Sequence, residues 1–189
     1  ENLESEHICC AISNVKDPQV IAKKQWLAER LGEGLVFLKA DARGKCFIEY
    51  IPAENAWAPI DAPGYMFIDC LWVSGSFKGH GYSNDLLNEC IRDSREKGKS
   101  GLCILSSAKK RGFLADPKYL KYKGFIKADS AEPYFELMYL PFDPSAPAPR
   151  FREQAKSAQT DGSRFEIFYT SQCPFTAKYV PLIENMAND

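Results

Sequence analysis

One stretch constrains what this chain can fold into more than any other: an apolar run over residues 65–73, a glycine-bearing loop, and an amphipathic segment that opens at Tyr82. Tyr65, Met66, Phe67, Ile68, Asp69, Cys70, Leu71, Trp72 and Val73 have the length and aromatic content of a buried strand. Tyr82, Leu86, Leu87, Cys90 and Ile91 recur at helical spacing, with Asn84, Asp85, Asn88, Glu89, Arg92 and Asp93 on the opposite face. Between them, Gly75, Gly79 and Gly81 let the backbone turn tightly and approach a ligand with no side chain in the way. A loop that opens straight into a helix presents unpaired N–H groups at the positive end of the helix dipole, which makes it an anion site.

The pattern narrows the anion. The dinucleotide fingerprint G-x-G-x-x-G is not met, because Asn84 stands three residues after Gly81, and the phosphate loop G-x-x-x-x-G-K-[ST] is absent. Ser76-Phe77-Lys78-Gly79-His80-Gly81 instead resembles Q/R-x-x-G-x-G/A, the acetyl-CoA loop of the GNAT superfamily of N-acetyltransferases, with Ser76 where the family has Gln or Arg. Further on, Tyr119-Leu120-Lys121-Tyr122-Lys123-Gly124-Phe125 is similar to the family segment F-Y-x-x-x-G-F. The resemblance implies an α/β (α+β) fold with a central mixed, mostly antiparallel sheet flanked by helices. It also implies acetyl-CoA as acetyl donor, with no metal.

Composition excludes several other classes. The chain has 189 residues, 45% hydrophobic and 26% charged, with a net charge of -1, as in an ordinary globular protein that can bury one full core. No basic stripe points to nucleic acid, and no apolar run is long enough to span a bilayer. The acidic start, Glu1 to His7, is unlike a signal peptide, so the expected location is cytoplasmic. The start without Met leads us to expect a trimmed N-terminus. The 7 cysteines lie in apolar segments without paired metal-ligand spacing, as core thiols in a reducing compartment do. Cys9 and Cys10, read as part of a strand over residues 7–12, would point to opposite faces and make a poor chelate.

In chain order, Asp17-Pro18 starts a helix that runs to Gly32, and residues 35–40 and 46–51 form a hairpin around a connection bearing Gly44. Residues 52–64, with Trp57, form a loop overhanging the sheet. After the helix that opens at Tyr82, residues 101–107 are a strand, Asp116-Pro117 starts a short helix, and 125–128 and 134–140 are the last strands. Three regions are expected: an acetyltransferase domain over 1–142, an extended proline-bearing linker over 143–163, and a partial unit over 164–189. That last unit, a strand over 165–170 and a helix after Cys173, resembles the opening β-α of a thioredoxin-like fold, with Thr176 in place of the second cysteine. Core and tail together resemble the YoaP-like acetyltransferases. So short a tail cannot bury its own core, so it either docks on 1–142 or a second copy, or continues past Asp189.

The resemblance implies site roles. Main-chain groups of Leu71, Trp72 and Val73 would meet the pantetheine arm, and a loop of Ser76, Phe77, Lys78, Gly79, His80, Gly81, Tyr82 and Ser83 would hold the pyrophosphate, with Ser106 and Ser107 close by. The family's acid, the Tyr of F-Y-x-x-x-G-F, falls on Leu120, leaving Tyr119 and Tyr122 as candidates; Glu49 and Asp69 are the candidate bases. Trp57 and Cys173 are candidate acceptor contacts. The expected acceptor is a small-molecule amine or peptide, and a homodimer is an open assembly state. Two further readings stay open: an acyl-CoA-binding or thiol-redox module using Cys173, and an inactive acetyltransferase fold used for interaction.

Overall fold

A computed structural model describes residues 2–42, 45–157 and 167–188. The chain runs through α1 (Pro18–Leu31), β1 (Val36–Lys39), β2 (Cys46–Pro52), β3 (Ile60–Asp61), β4 (Tyr65–Val73), α2 (Tyr82–Glu96), β5 (Gly101–Ser106) and α3 (Pro117–Tyr122). It continues through β6 (Ile126–Ala131), β7 (Phe135–Pro141), β8 (Arg150–Phe151), α4 (Glu153–Lys156), α5 (Pro174–Ala177) and α6 (Val180–Asn188). It divides into two compact units, Gly34–Ala158 and a smaller one made of Glu1–Glu33 with Gln159–Asp189.

The larger unit is built on a six-stranded sheet in the order β1-β2-β4-β5-β7-β6. Only β4 and β5 run parallel; every other neighbouring pair is antiparallel. This is the mixed, mostly antiparallel sheet the sequence leads one to expect. α2 is the crossover that makes the parallel pair possible, and its apolar stripe of Leu86, Leu87 and Cys90 packs on Ile48, Tyr50, Met66, Ile68, Leu102, Ile104 and Met138. Polar contacts hold the helix in register: the Tyr50 hydroxyl donates to Asp93 at 3.0 Å, and Lys97 pairs with the same carboxylate at 2.6 Å. α3 is capped by Asp116, whose carboxylate accepts from the Lys118 amide at 2.9 Å, and it adds Leu120 to the same core.

β4 carries an irregularity on which the site depends. Tyr50 pairs with Ile68 but Glu49 pairs with Cys70, so Asp69 is an extra residue in β4. The core-facing positions therefore switch parity, from Met66 and Ile68 before the bulge to Leu71 and Val73 after it. On the other side of β4, pairing with β5 begins at Tyr65 and Gly101 and stops at Ile68 and Ile104, although both strands continue. The two strands thus separate from Asp69 onward, ahead of Leu71, Trp72 and Val73, the segment that the resemblance implies for the pantetheine arm.

Two segments depart from expectation. Within 143–163, expected to be an extended linker, β8 pairs with β3 through Ile60 opposite Phe151 and Asp61 opposite Arg150. Arg150 donates to Asp61 at 2.8 Å, the Phe151 amide to Asp129 at 2.9 Å, and Lys156 of α4 pairs with Asp129 at 2.8 Å. One buried phenylalanine in a polar stretch carries the attachment, too little hydrophobic pattern to read from sequence. Residues 158–163 lie outside the described residues, as do Arg43 and Gly44 of the expected hairpin connection.

The smaller unit also differs. Residues 7–12, expected as a strand, are irregular: the chain bends at Cys10 and Ala11, and the Ile12 amide donates to the Cys9 sulfur at 3.3 Å in place of a ladder partner. Of the strand expected over 165–170, residues 167–170 have no regular structure and 165–166 lie outside the described residues. The single helix expected after Cys173 is two, α5 and α6, interrupted at Lys178 and Tyr179. Pro181, which has no N–H to continue a helix, sits in the first turn of α6, where none is needed. α5 packs against α1, so the tail's apolar residues Ala177 and Val180 are buried, like Val20 and Leu27 of α1.

Gly101 is the tightest position of the sheet. An added Cβ would lie 2.5 Å from the Leu140 carbonyl oxygen and 2.7 Å from the Tyr65 ring. Neither a paired backbone nor a fully buried ring gives way cheaply, so Gly101→Ala is expected to lower stability by about 3 kcal/mol. Gly112→Ala, with open space around the new carbon, should change the urea midpoint very little. Equal midpoints for the two variants would show that the β5-β7 packing is looser than this.

Candidate functional site

The parting of β4 and β5 leaves Leu71 to Val73 paired with β2 on one side, while the β5 ladder on the other side has ended at Ile68, so this edge of the strand faces the cleft. An extended chain can add to such an edge through main-chain hydrogen bonds. The cleft narrows towards Ile68 and Ile104 and opens towards the loop that comes after Val73.

That loop turns through residues 75–77, with the Phe77 amide bonded to Ser74 at 2.9 Å and the Lys78 amide to Gly75 at 3.3 Å. Phe77 and Tyr82 pack their rings 5.9 Å apart against the core. Gly79 (φ 83°) and Gly81 (φ 87°) take the left-handed conformation that glycine adopts without strain. Gly81 is the N-cap of α2 and has no side chain to satisfy the helix's first amides. The amides of Gly79, His80, Gly81, Tyr82 and Ser83 donate to no acceptor among the described residues. A Cβ built on Gly75 or Gly79 would meet nothing within 4 Å, which is space a ligand can enter. Ser74 Oγ at the mouth of the cleft is buried without a hydrogen-bond partner. Unused amides, open space and an orphaned hydroxyl together suit a pyrophosphate-bearing thioester such as acetyl-CoA.

The structure separates the two tyrosines proposed as acids. Tyr119 is half-buried against the core, and its hydroxyl donates to the Ser83 carbonyl at 2.9 Å, which ties α3 to the first turn of α2. Burial pushes its pKa up. Tyr122, about one turn further along α3, is 80% exposed, and Lys123 Nζ lies 5.9 Å from the Tyr119 ring centre and 5.2 Å from that of Tyr122. Leu120, at the position that corresponds to the family's tyrosine, is buried in the core.

Glu49 is 0% exposed and lies opposite Cys70, on the sheet face away from α2; Asp69, the bulge residue, adjoins it in the ladder. Both candidate bases therefore lie where β4 leaves β5. Ser106 and Ser107 are buried, and their hydroxyls donate to the carbonyls of Ala115 at 2.8 Å and Lys109 at 2.7 Å. They fold the 107–116 loop back onto the end of β5. His80, Lys78 and Ser76 are exposed on the loop, and Trp72 is partly exposed on β4. Trp57 is 53% exposed after β2. Cys173 belongs to the smaller unit, half-buried just before α5.

Sequence reasoning missed Ser74 and the bulge. Ser74 stands inside the loop stretch, but only its burial without a partner singles it out.

Comparisons with known proteins agree with this geometry. Residues 1–113 match the Acetyltransferase (GNAT) family. A relative from Bacillus subtilis (strain 168), described as the uncharacterized N-acetyltransferase YoaP, is 44% identical over 176 residues, which is 93% of this chain and 70% of that protein. Among solved structures, yncA from Salmonella typhimurium, described as an acetyltransferase with its cofactor acetyl-CoA, superposes with a TM-score of 0.52 at 17% identity. That superposition covers 73% of this chain and 83% of yncA.

Ser74→Ala separates a ligand contact from a structural role. Removing a buried hydroxyl that has no partner should leave the free protein as stable or slightly more so, while acetyl-CoA binds roughly fivefold more weakly, the value of about 1 kcal/mol for one hydrogen bond. Calorimetry with unchanged affinity, or a loss of stability in the free protein, would contradict the assignment.

Proposed function

Because the chain belongs to the Acetyltransferase (GNAT) family, we propose that the cleft between β4 and β5 is its active site and that the chain is an acetyl-CoA-dependent N-acetyltransferase. The observation that carries the reading is the set of unused amides from Gly79 to Ser83 at the start of α2, beside a strand edge left open by the bulge. Bound acetyl-CoA supplies the activated acetyl group as a thioester. The loop amides and the helix dipole hold its pyrophosphate charge, and the open edge of Leu71 to Val73 aligns the arm. An N–H near Leu71 donates to the thioester oxygen as negative charge develops there.

The acceptor is a small-molecule or peptide amine that attacks directly. Glu49 and Asp69 are the groups proposed to take the amine's proton, themselves or through one water, because both sit on strands at the point where β4 parts from β5. Tyr119 is preferred to Tyr122 as the proton source for the leaving thiolate, since its hydroxyl already lies at the first turn of α2 whereas Tyr122 faces solvent. Ser106 and Ser107 support the site by shaping the loop, and Trp57 is proposed to border the acceptor. We read residues 1–142 as the acetyltransferase domain. Among the described residues no helix is long and apolar enough to cross a membrane. Neither a dimer nor a role for Cys173 in acceptor binding is required by this mechanism.

An acetyl-CoA turnover assay against pooled amines and thiols tests the reading with two variants. Gly81→Val places a β-branched residue at φ 87°, costing on the order of 1–2 kcal/mol in the loop, and should weaken acetyl-CoA binding about tenfold or more. Tyr119→Phe should lower kcat with little change in acetyl-CoA affinity. Absence of turnover with every acceptor, or an unaltered affinity in Gly81→Val, would overturn the proposal.

A further inference from the structure

Cys9 and Cys10 were expected to diverge on a strand, and in the structure they converge. The bend at Cys10 and Ala11 brings the Cys10 thiol into hydrogen-bond contact with the Cys9 sulfur, which also accepts from the amides of Ile12, at 3.3 Å, and Ala11. Lys23 of α1 is 2% exposed and adds its positive charge at Cys9, which is 1% exposed. A buried ammonium and a buried thiolate each offset the other's desolvation. The hydrogen bond from Cys10 acts most strongly to bring the Cys9 thiol down to about 6, against burial, with the amides and Lys23 assisting. Cys10 is half-buried, so the pair is reachable from solvent on its side.

Two sulfurs side by side, one held as a thiolate, are a chelate, and geometry selects the guest. Zinc in a structural site takes a tetrahedral set of N and S ligands, and among the described residues no group of three or more His, Cys, Asp or Glu is placed to hold a metal ion. A linear two-coordinate ion needs its sulfurs at opposite ends of a diameter, farther apart than a hydrogen-bonded pair. A pyramidal trivalent centre with a narrow sulfur-to-sulfur angle fits. We propose that Cys9 and Cys10 form a bidentate site for a trivalent organoarsenical of the type R–As(OH)2. Two As–S bonds form and two As–O bonds break. One hydroxyl leaves as water with the proton of the Cys10 thiol, the other as hydroxide displaced by the Cys9 thiolate, and arsenic stays trivalent throughout. Nothing in this site draws on the acetyltransferase cleft.

Equimolar phenylarsine oxide with the intact chain, read by mass spectrometry without added thiol, tests the site. One phenylarsenic adduct per chain is expected, mapping to the peptide that contains Cys9 and Cys10 and persisting in Cys173→Ala. In Cys9→Ser and Cys10→Ser the loss of bidentate attachment should lower retention against a competing small dithiol by roughly a hundredfold. Cys10→Ser, at the less buried position, guards against a folding defect in Cys9→Ser, and the peptide map of the unmutated chain needs no variant. An unmodified chain, an adduct that maps elsewhere, or full retention in both serine variants would overturn the proposal.

Discussion

A single extra residue in the central strand sets the rest of the larger unit. Asp69 breaks the register between β2 and β4, and it does so where β4 stops pairing with β5. A bulge bends its strand and increases local twist, so a parallel neighbour can track the strand only up to the bulge. Met66 to Ile68 are therefore locked into the sheet on both sides, while Leu71 to Val73 keep one edge towards the cleft. The change of parity is tolerated because the residues it turns inward, Leu71 and Val73, are as apolar as Met66 and Ile68.

An open strand edge is a liability unless the neighbouring chain gives it a use. Val73 leads straight into a loop that exits under the start of α2, and α2 is held down by its apolar stripe and by the Tyr50–Asp93 hydrogen bond. α3 braces the same helix through Tyr119 and Ser83. The first amides of α2 are thus held rigidly and left unpaired, an arrangement that costs stability in the free protein and is recovered when an anion binds. Fold and site are linked in this way: the packing of the core fixes a helix end that protein groups do not cap.

Much of this was legible in the sequence because the loop and helix obey local rules. Gly79 and Gly81 announce positive φ, the 3.6-residue stripe announces α2, and Asp17-Pro18 and Asp116-Pro117 announce two helix starts. The bulge was not legible, because residues 65–73 are apolar at nearly every position and so carry no alternation for an insertion to disturb. The attachment of β8 was hidden because it rests on Phe151 and on ion pairs to Asp61 and Asp129, distant in sequence. The bend at Cys10 was hidden for a different reason: a thiol accepting backbone hydrogen bonds competes with strand formation, and apolar spacing does not report it.

In the proposed function, the amides at the start of α2 and the open edge of β4 serve acetyl-CoA. Amide hydrogen exchange with and without saturating acetyl-CoA tests it most directly. Slowing by roughly tenfold or more is expected at Gly79 to Ser83 and along Leu71 to Val73, with β6 unchanged. Exchange in the loop that is indifferent to acetyl-CoA, or protection confined to residues outside β4 and the start of α2, would contradict it.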